Sequence, residues 1–94
     1  MGIDSSNEKI FRVSTHTPTK ELGAAIAHAI YDGKSVVIRA VGAGAVGQAG
    51  KGIAVAESHA AKQAVRMKTN FGFFTTTMPD KKEVSGLLMR IGRD

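Results

Sequence analysis

The chain has no cysteine, no tryptophan, one tyrosine and two prolines among its 94 residues. Without thiols, disulfide staples, thiolate metal sites and cysteine nucleophiles are excluded. Aromatic side chains are limited to Phe11, Tyr31, Phe71, Phe73 and Phe74, a poor supply for base stacking. Apolar runs stop well short of the roughly 20 residues that a membrane-spanning helix needs, so no membrane partner is expected. The N-terminus lacks a basic stretch followed by an apolar one, which argues against a secretory signal. Met1-Gly2-Ile3-Asp4-Ser5-Ser6 fits the loose N-myristoylation pattern, but a glycine after the initiator is common, and the expected location is the cytoplasm.

What remains is an ordinary globular composition, 43% hydrophobic and 22% charged, at a length that suits one small core. Thirteen basic against eight acidic side chains give a net charge of +5. The excess is local. Residues 34–82 carry eight basic and two acidic side chains, a net of +6, while residues 1–33 carry three and four. A basic segment of this kind attracts phosphate backbones, and it is equally compatible with a solvated, lysine-rich surface.

The hydrophobic pattern defines six elements. Residues 1–8 read as a flexible N-terminal tail, and residues 9–94 as a single domain. Lys9–Thr15 alternates as a strand. Thr17 is placed to cap a helix with Pro18 in its first turn, and Leu22, Ala25, Ile26, Ala29 and Ile30 form its apolar face until Gly33 ends it. Residues 34–41 read as a second strand, parallel to the first through a right-handed crossover. Residues 42–52 hold five of the eleven glycines, yet Val46, Ala49, Ile53, Ala56 and Ala60 keep helical spacing through and beyond them. Ala43, Gly47, Gly50, Ala54 and Ala61 make a second stripe with little side-chain bulk, suited to close approach by the sheet, the first helix or another subunit. Residues 64–78 and 83–91 form an antiparallel hairpin around Pro79-Asp80-Lys81-Lys82. The expected fold is α/β of the α+β two-layer kind, ordered βαβαββ: a mixed four-stranded sheet with both helices on one face.

Four kinds of chemistry can be weighed on this frame. Gly42, Gly44 and Gly47 spell Gly-x-Gly-x-x-Gly between a strand and a helix, a candidate phosphate or ligand loop. However, the motif follows the second strand, and no acidic residue stands about 20 positions on, so packing is the simpler role for these glycines. His16, His28 and His59 have no metal-ligand spacing. No Gly-x-Ser-x-Gly elbow or carboxylate pair is present, so no enzyme activity, metal or cofactor is expected. A nucleic-acid surface fits better. Alternation puts Arg12, Arg39, Lys68 and Arg90 opposite the main apolar set of their strands. Lys81 and Lys82 crown the hairpin, Lys20 begins the first helix, and Gln48 and Lys51 lie near the start of the second. Of the aromatics, only Phe74 is expected to point outward with these cations.

The segment Arg39-Ala40-Val41-Gly42-Ala43-Gly44-Ala45-Val46-Gly47-Gln48-Ala49-Gly50-Lys51-Gly52-Ile53-Ala54-Val55-Ala56 resembles the signature of the stage V sporulation protein S family, a group of small bacterial proteins. Gly42 to Ala45, Gln48, Ala49, Lys51, Ile53 and Ala54 carry the match. Lys9–Ser14 with its following Thr-Pro helix resembles the family's opening. The likeness covers about residues 9–78, and the hairpin less closely. It implies an Alba-like fold and a link to developmental regulation in sporulation. Relatives of that fold bind DNA or RNA, typically as dimers, through the loop before helix one, the start of helix two and the final hairpin. Here those regions hold Lys20, Gln48, Lys51, Lys81 and Lys82. Alba proteins have basic residues where this chain has Gly42-Ala43-Gly44-Ala45. The expectation is a nucleic-acid-binding homodimer or homotetramer. The alternatives are an assembly protein acting through protein–protein contacts, and a nucleotide or phosphate module at Gly42–Gly47.

Overall fold

The computed structural model describes residues 7–94. Its elements are β1 (Glu8–Val13), α1 (Thr19–Tyr31), β2 (Ser35–Ala40), α2 (Ala43–Lys62), β3 (Met67–Thr77) and β4 (Glu83–Arg93). Residues 1–6 of the expected tail, with the myristoylation pattern, lie outside the described residues. Glu8, assigned to that tail, already pairs with Ser35.

The strands lie in the order β1-β2-β4-β3. β1 runs parallel to β2, and β4 runs antiparallel to both β2 and β3. Phe11, Val13, Val36, Ile38, Ala40, Leu87, Met89 and Ile91 share one face. They join Leu22, Ile26 and Ile30 of α1 and Ala45, Ala49 and Ala56 of α2 in the core. Ile26, Ile30, Ile38 and Val36 are fully buried, and no charged or polar side chain is buried with them among the described residues.

Several ends differ from the sequence reading. Thr17 does not cap α1. Its Oγ1 accepts from the Ser14 N–H at 2.9 Å, tightening the preceding turn, and Pro18 takes the cap position without a side-chain bond to the helix. Gly33 does follow the helix in the left-handed conformation, φ +81°. α2 begins at Ala43, directly after Gly42 (φ +90°), so Gly44, Gly47, Gly50 and Gly52 lie inside a 20-residue helix rather than in a loop. β3 starts later than expected because Ala64, at φ +57°, turns the chain out of α2.

The two helices meet where side chains are missing. A Cβ on Gly23 would stand 2.4 Å from Val55 Cγ1 and 2.9 Å from the Gly52 carbonyl oxygen. A Cβ on Gly52 would stand 2.4 Å from Leu22 Cδ2. The expected stripe of Ala43, Gly47, Gly50, Ala54 and Ala61 is instead exposed on the outer side of α2. It faces neither the sheet nor α1, because Ala45, Ala49, Gly52, Ala56 and Ala60 take the inward positions.

These positions predict substitutions of opposite sign. Gly23→Ala should destabilise by about 1–3 kcal/mol, because overpacking against Val55 and backbone outweighs the better helix propensity. Gly47→Ala and Gly50→Ala, with open space around the new Cβ, should each stabilise by about 0.5–1 kcal/mol. Urea unfolding of the three variants measures both signs.

Candidate nucleic-acid interface

The sheet face away from the helices is built by alternation. Glu8, Ile10 and Arg12 of β1 stand beside Ser35, Val37 and Arg39 of β2. Val37 and Arg39 stand opposite Arg90 and Leu88 of β4, and Asn70, Gly72 and Phe74 of β3 stand opposite Arg90, Leu88 and Gly86. Lys68 is opposite Gly92. The open face therefore gathers Arg12, Arg39, Lys68 and Arg90, with Glu8 as its carboxylate. The four cations meet there as alternation predicts.

Their environments differ. Arg90 Nη1 donates to Glu8 Oε2 at 3.2 Å, so its charge is partly answered. Arg12 and Arg39 are partners in register, and among the described residues no carboxylate lies within ion-pair distance of either. Like charges set side by side in a sheet repel. The fold accepts that cost and holds Arg39 half-buried, its Cζ 4.3 Å from the centroid of the Phe74 ring. This contact depends on a glycine. β4 lies between β2 and β3, and Phe74 can reach across it only because Gly86 has no side chain; a Cβ there would stand 2.6 Å from the ring. Cation–π attraction then fixes the guanidinium over the ring. Around this pair opens a cavity of about 490 Å³, lined by Arg12, Thr15, Arg39, Val41, Phe74 and Thr76 among others.

The remaining candidates lie elsewhere. Lys20 and Lys51 are exposed on the helical layer, across the sheet from the arginines. Lys51 is not at the start of α2, which begins eight residues earlier at Ala43. Gln48 is a brace: its Nε2 donates to the Thr17 carbonyl at 2.9 Å, tying α2 to the turn before α1. Gly42 turns the chain into α2, Gly44 presses on Thr15, and Gly47 faces open space. His28 lies 3.5 Å from Asp32, His59 offers its carbonyl to the Tyr31 hydroxyl at 2.7 Å, and His16 is exposed in a turn. Among the described residues, no three His, Asp or Glu side chains gather to hold a metal ion.

Lys81 and Lys82 stand at the hairpin tip. The turn is closed by the Met78 N–H to the Lys82 carbonyl and the Lys81 N–H to the Met78 carbonyl, each 2.8 Å. Lys81 is in the left-handed region, φ +68°, where glycine or asparagine is the easier residue. The turn thus carries a lysine at a conformational cost.

The aromatics take the faces that alternation predicts, but not the exposure. Phe74, expected outward, is half-buried under Arg39. Phe71 and Phe73, expected inward, are 67% and 83% exposed. They do lie on the helix side, opposite Met89 and Leu87, but β3 is the edge strand beyond the helical layer. Alternation could reveal the side they take but not whether a helix covers it.

These features define a class: a two-layer α+β domain of the Alba type. The chain superposes on Alba from Thermoplasma volcanium with a TM-score of 0.52 at 18% sequence identity, covering 88% of this chain and 98% of that one. It belongs to the stage V sporulation protein S family, whose pattern it matches over residues 9–93 and so through the hairpin as well. No curated protein sequence matches it.

Lys81→Gly separates stability from surface charge. It should raise the unfolding free energy by up to about 1 kcal/mol by relieving the left-handed strain, while removing one cation from the tip. Thermal unfolding of the variant beside the wild type checks it.

Proposed function

We propose that this chain is a small cytoplasmic nucleic-acid-binding protein with a regulatory or architectural role, acting without a cofactor as a homodimer or homotetramer. It holds the phosphate backbone of DNA or RNA by charge. The observation that carries this reading is the open sheet face, where Arg12, Arg39, Lys68 and Arg90 stand together against Glu8. Phosphate contacts need positive charge and hydrogen-bond donors within reach, and guanidinium supplies both. Lys81 and Lys82 extend the same charge to the hairpin tip. Leu88, Val37 and Phe74 beside the cations leave the face only part-polar, which suits a flat contact with sugar and backbone.

Titration of duplex DNA and single-stranded RNA at low and moderate salt tests the reading. With about four phosphates neutralised, log K should fall against log salt with a slope near −3 to −4. Lys68→Glu should weaken binding, and Lys81→Glu with Lys82→Glu should weaken it further. Absence of binding to either nucleic acid at low salt overturns the proposal.

The exposed Phe71 and Phe73 favour a second reading, in which the chain also assembles through β3. A long edge strand with two bare aromatic rings is an exposed site for self-association. Phe71→Thr with Phe73→Thr should leave the unfolding free energy within about 0.5 kcal/mol, since neither ring is buried, yet reduce the oligomer mass measured by light scattering. An unchanged mass sets this contact aside.

A further inference from the structure

Two guanidinium groups share one cavity, and among the described residues no carboxylate lies within ion-pair distance of either. Arg12 and Arg39 are neighbours in register on β1 and β2, and both line the cavity of about 490 Å³ together with Thr15, Val41, Phe74 and Thr76. The volume falls in the usual range of small-ligand sites, roughly 300–1,000 Å³. Its wall is mixed, with Val13, Val41, Ala45 and Phe74 as apolar members and Ser14, Thr15 and Thr76 as polar ones. Arg39 is held in place beforehand by its contact with Phe74, so little side-chain freedom remains to be lost on binding. Arg90, on the same face, shows the alternative, since it is satisfied by Glu8.

We propose that this pocket binds a nucleotide through a terminal phosphate. Arg12 and Arg39 grip the phosphate, and the Val41–Phe74 wall receives the sugar or base. The charge argument selects the kind of phosphate. A phosphomonoester carries about −1.5 to −2 at neutral pH, whereas a backbone diester carries a single negative charge. Paired guanidinium groups with no carboxylate within ion-pair distance among the described residues match the former, and the bound group removes the repulsion between them. The pocket also admits one nucleotide at a time. A free strand end or a mononucleotide can enter it, while the interior of a stiff duplex touches only the exposed cations around it. The inference rests on the nucleic-acid reading only for its second source of ligand, the phosphorylated end of a strand.

The test uses the full chain. Thermal unfolding is followed with adenosine 5′-monophosphate, adenosine and inorganic phosphate, and fluorescence anisotropy with a short single-stranded RNA bearing a 5′-phosphate or a 5′-hydroxyl. Adenosine 5′-monophosphate should raise the midpoint in a saturable way, adenosine should not, and inorganic phosphate should do so less. The phosphorylated RNA should bind roughly tenfold more tightly than its hydroxyl counterpart. Arg12→Gln with Arg39→Gln should abolish both differences, and Lys81→Gln with Lys82→Gln should preserve them. If the double arginine variant does not fold, Arg12→Gln alone carries the test, since Arg12 is exposed and outside the core. Inorganic phosphate matching the nucleotide overturns the nucleotide assignment. RNA binding at low salt with no preference for the phosphorylated end, and no stabilisation by the mononucleotide, overturns the pocket and leaves the nucleic-acid reading standing. Stabilisation by the mononucleotide with no RNA binding does the reverse.

Discussion

The close approach of α1 and α2 at Gly23 and Gly52 sets the shape of everything around it. Where Leu22 and Val55 fit against bare backbone, two helices pack tightly. A tight pair makes a narrow layer, and a narrow layer covers β1, β2 and β4 before it reaches β3. The buried positions on α2 are therefore all alanine or glycine, and the larger core side chains come from α1, with Leu22, Ile26 and Ile30, and from the sheet, with Ile38, Met89 and Ile91. Uncovered Phe71 and Phe73 are the other side of the same geometry.

Much of the architecture was legible locally. Helical spacing, strand alternation, the turn at Pro79-Asp80-Lys81-Lys82 and the stop at Gly33 all depend on near neighbours. So does the side of each strand, which is why alternation alone puts Arg12, Arg39, Lys68 and Arg90 on one face. What failed depended on pairing across the chain. Gln48 is joined to Thr17, Arg90 to Glu8 and Phe74 to Arg39, at separations of 31, 82 and 35 residues. Thr17 failed as a cap for a different reason: Ser14 offered its hydroxyl a nearer N–H, and a short polar side chain takes the first donor within reach.

Charge and strand order together explain why one face stays open. A sheet face lined with arginine is hard to bury, because stripping water from a guanidinium costs more than the surrounding apolar contacts return. Leu88, Val37 and Phe74 would otherwise invite a third layer. Arginine stems can lie along such apolar groups while their heads stay wet, so the same residues keep the face soluble and the cations close to the sheet. Gly86 adds order to this arrangement by giving one ring room to cross a strand and hold one guanidinium still.

The strand order also sets where the chain enters the sheet and where it leaves it. Glu8 opens β1 beside Ser35, and Val36, the next residue of β2, pairs with Ile91 near the close of β4. Entry and exit thus sit at the same border of the sheet, two strand spacings or about 10 Å apart. The Arg12–Arg39 cavity lies at the opposite border, by Val13 and Val41. A dye attached at Asn7 or Arg93 would stand at the Glu8–Arg90 end of the sheet, a strand's length from the Arg12–Arg39 cavity.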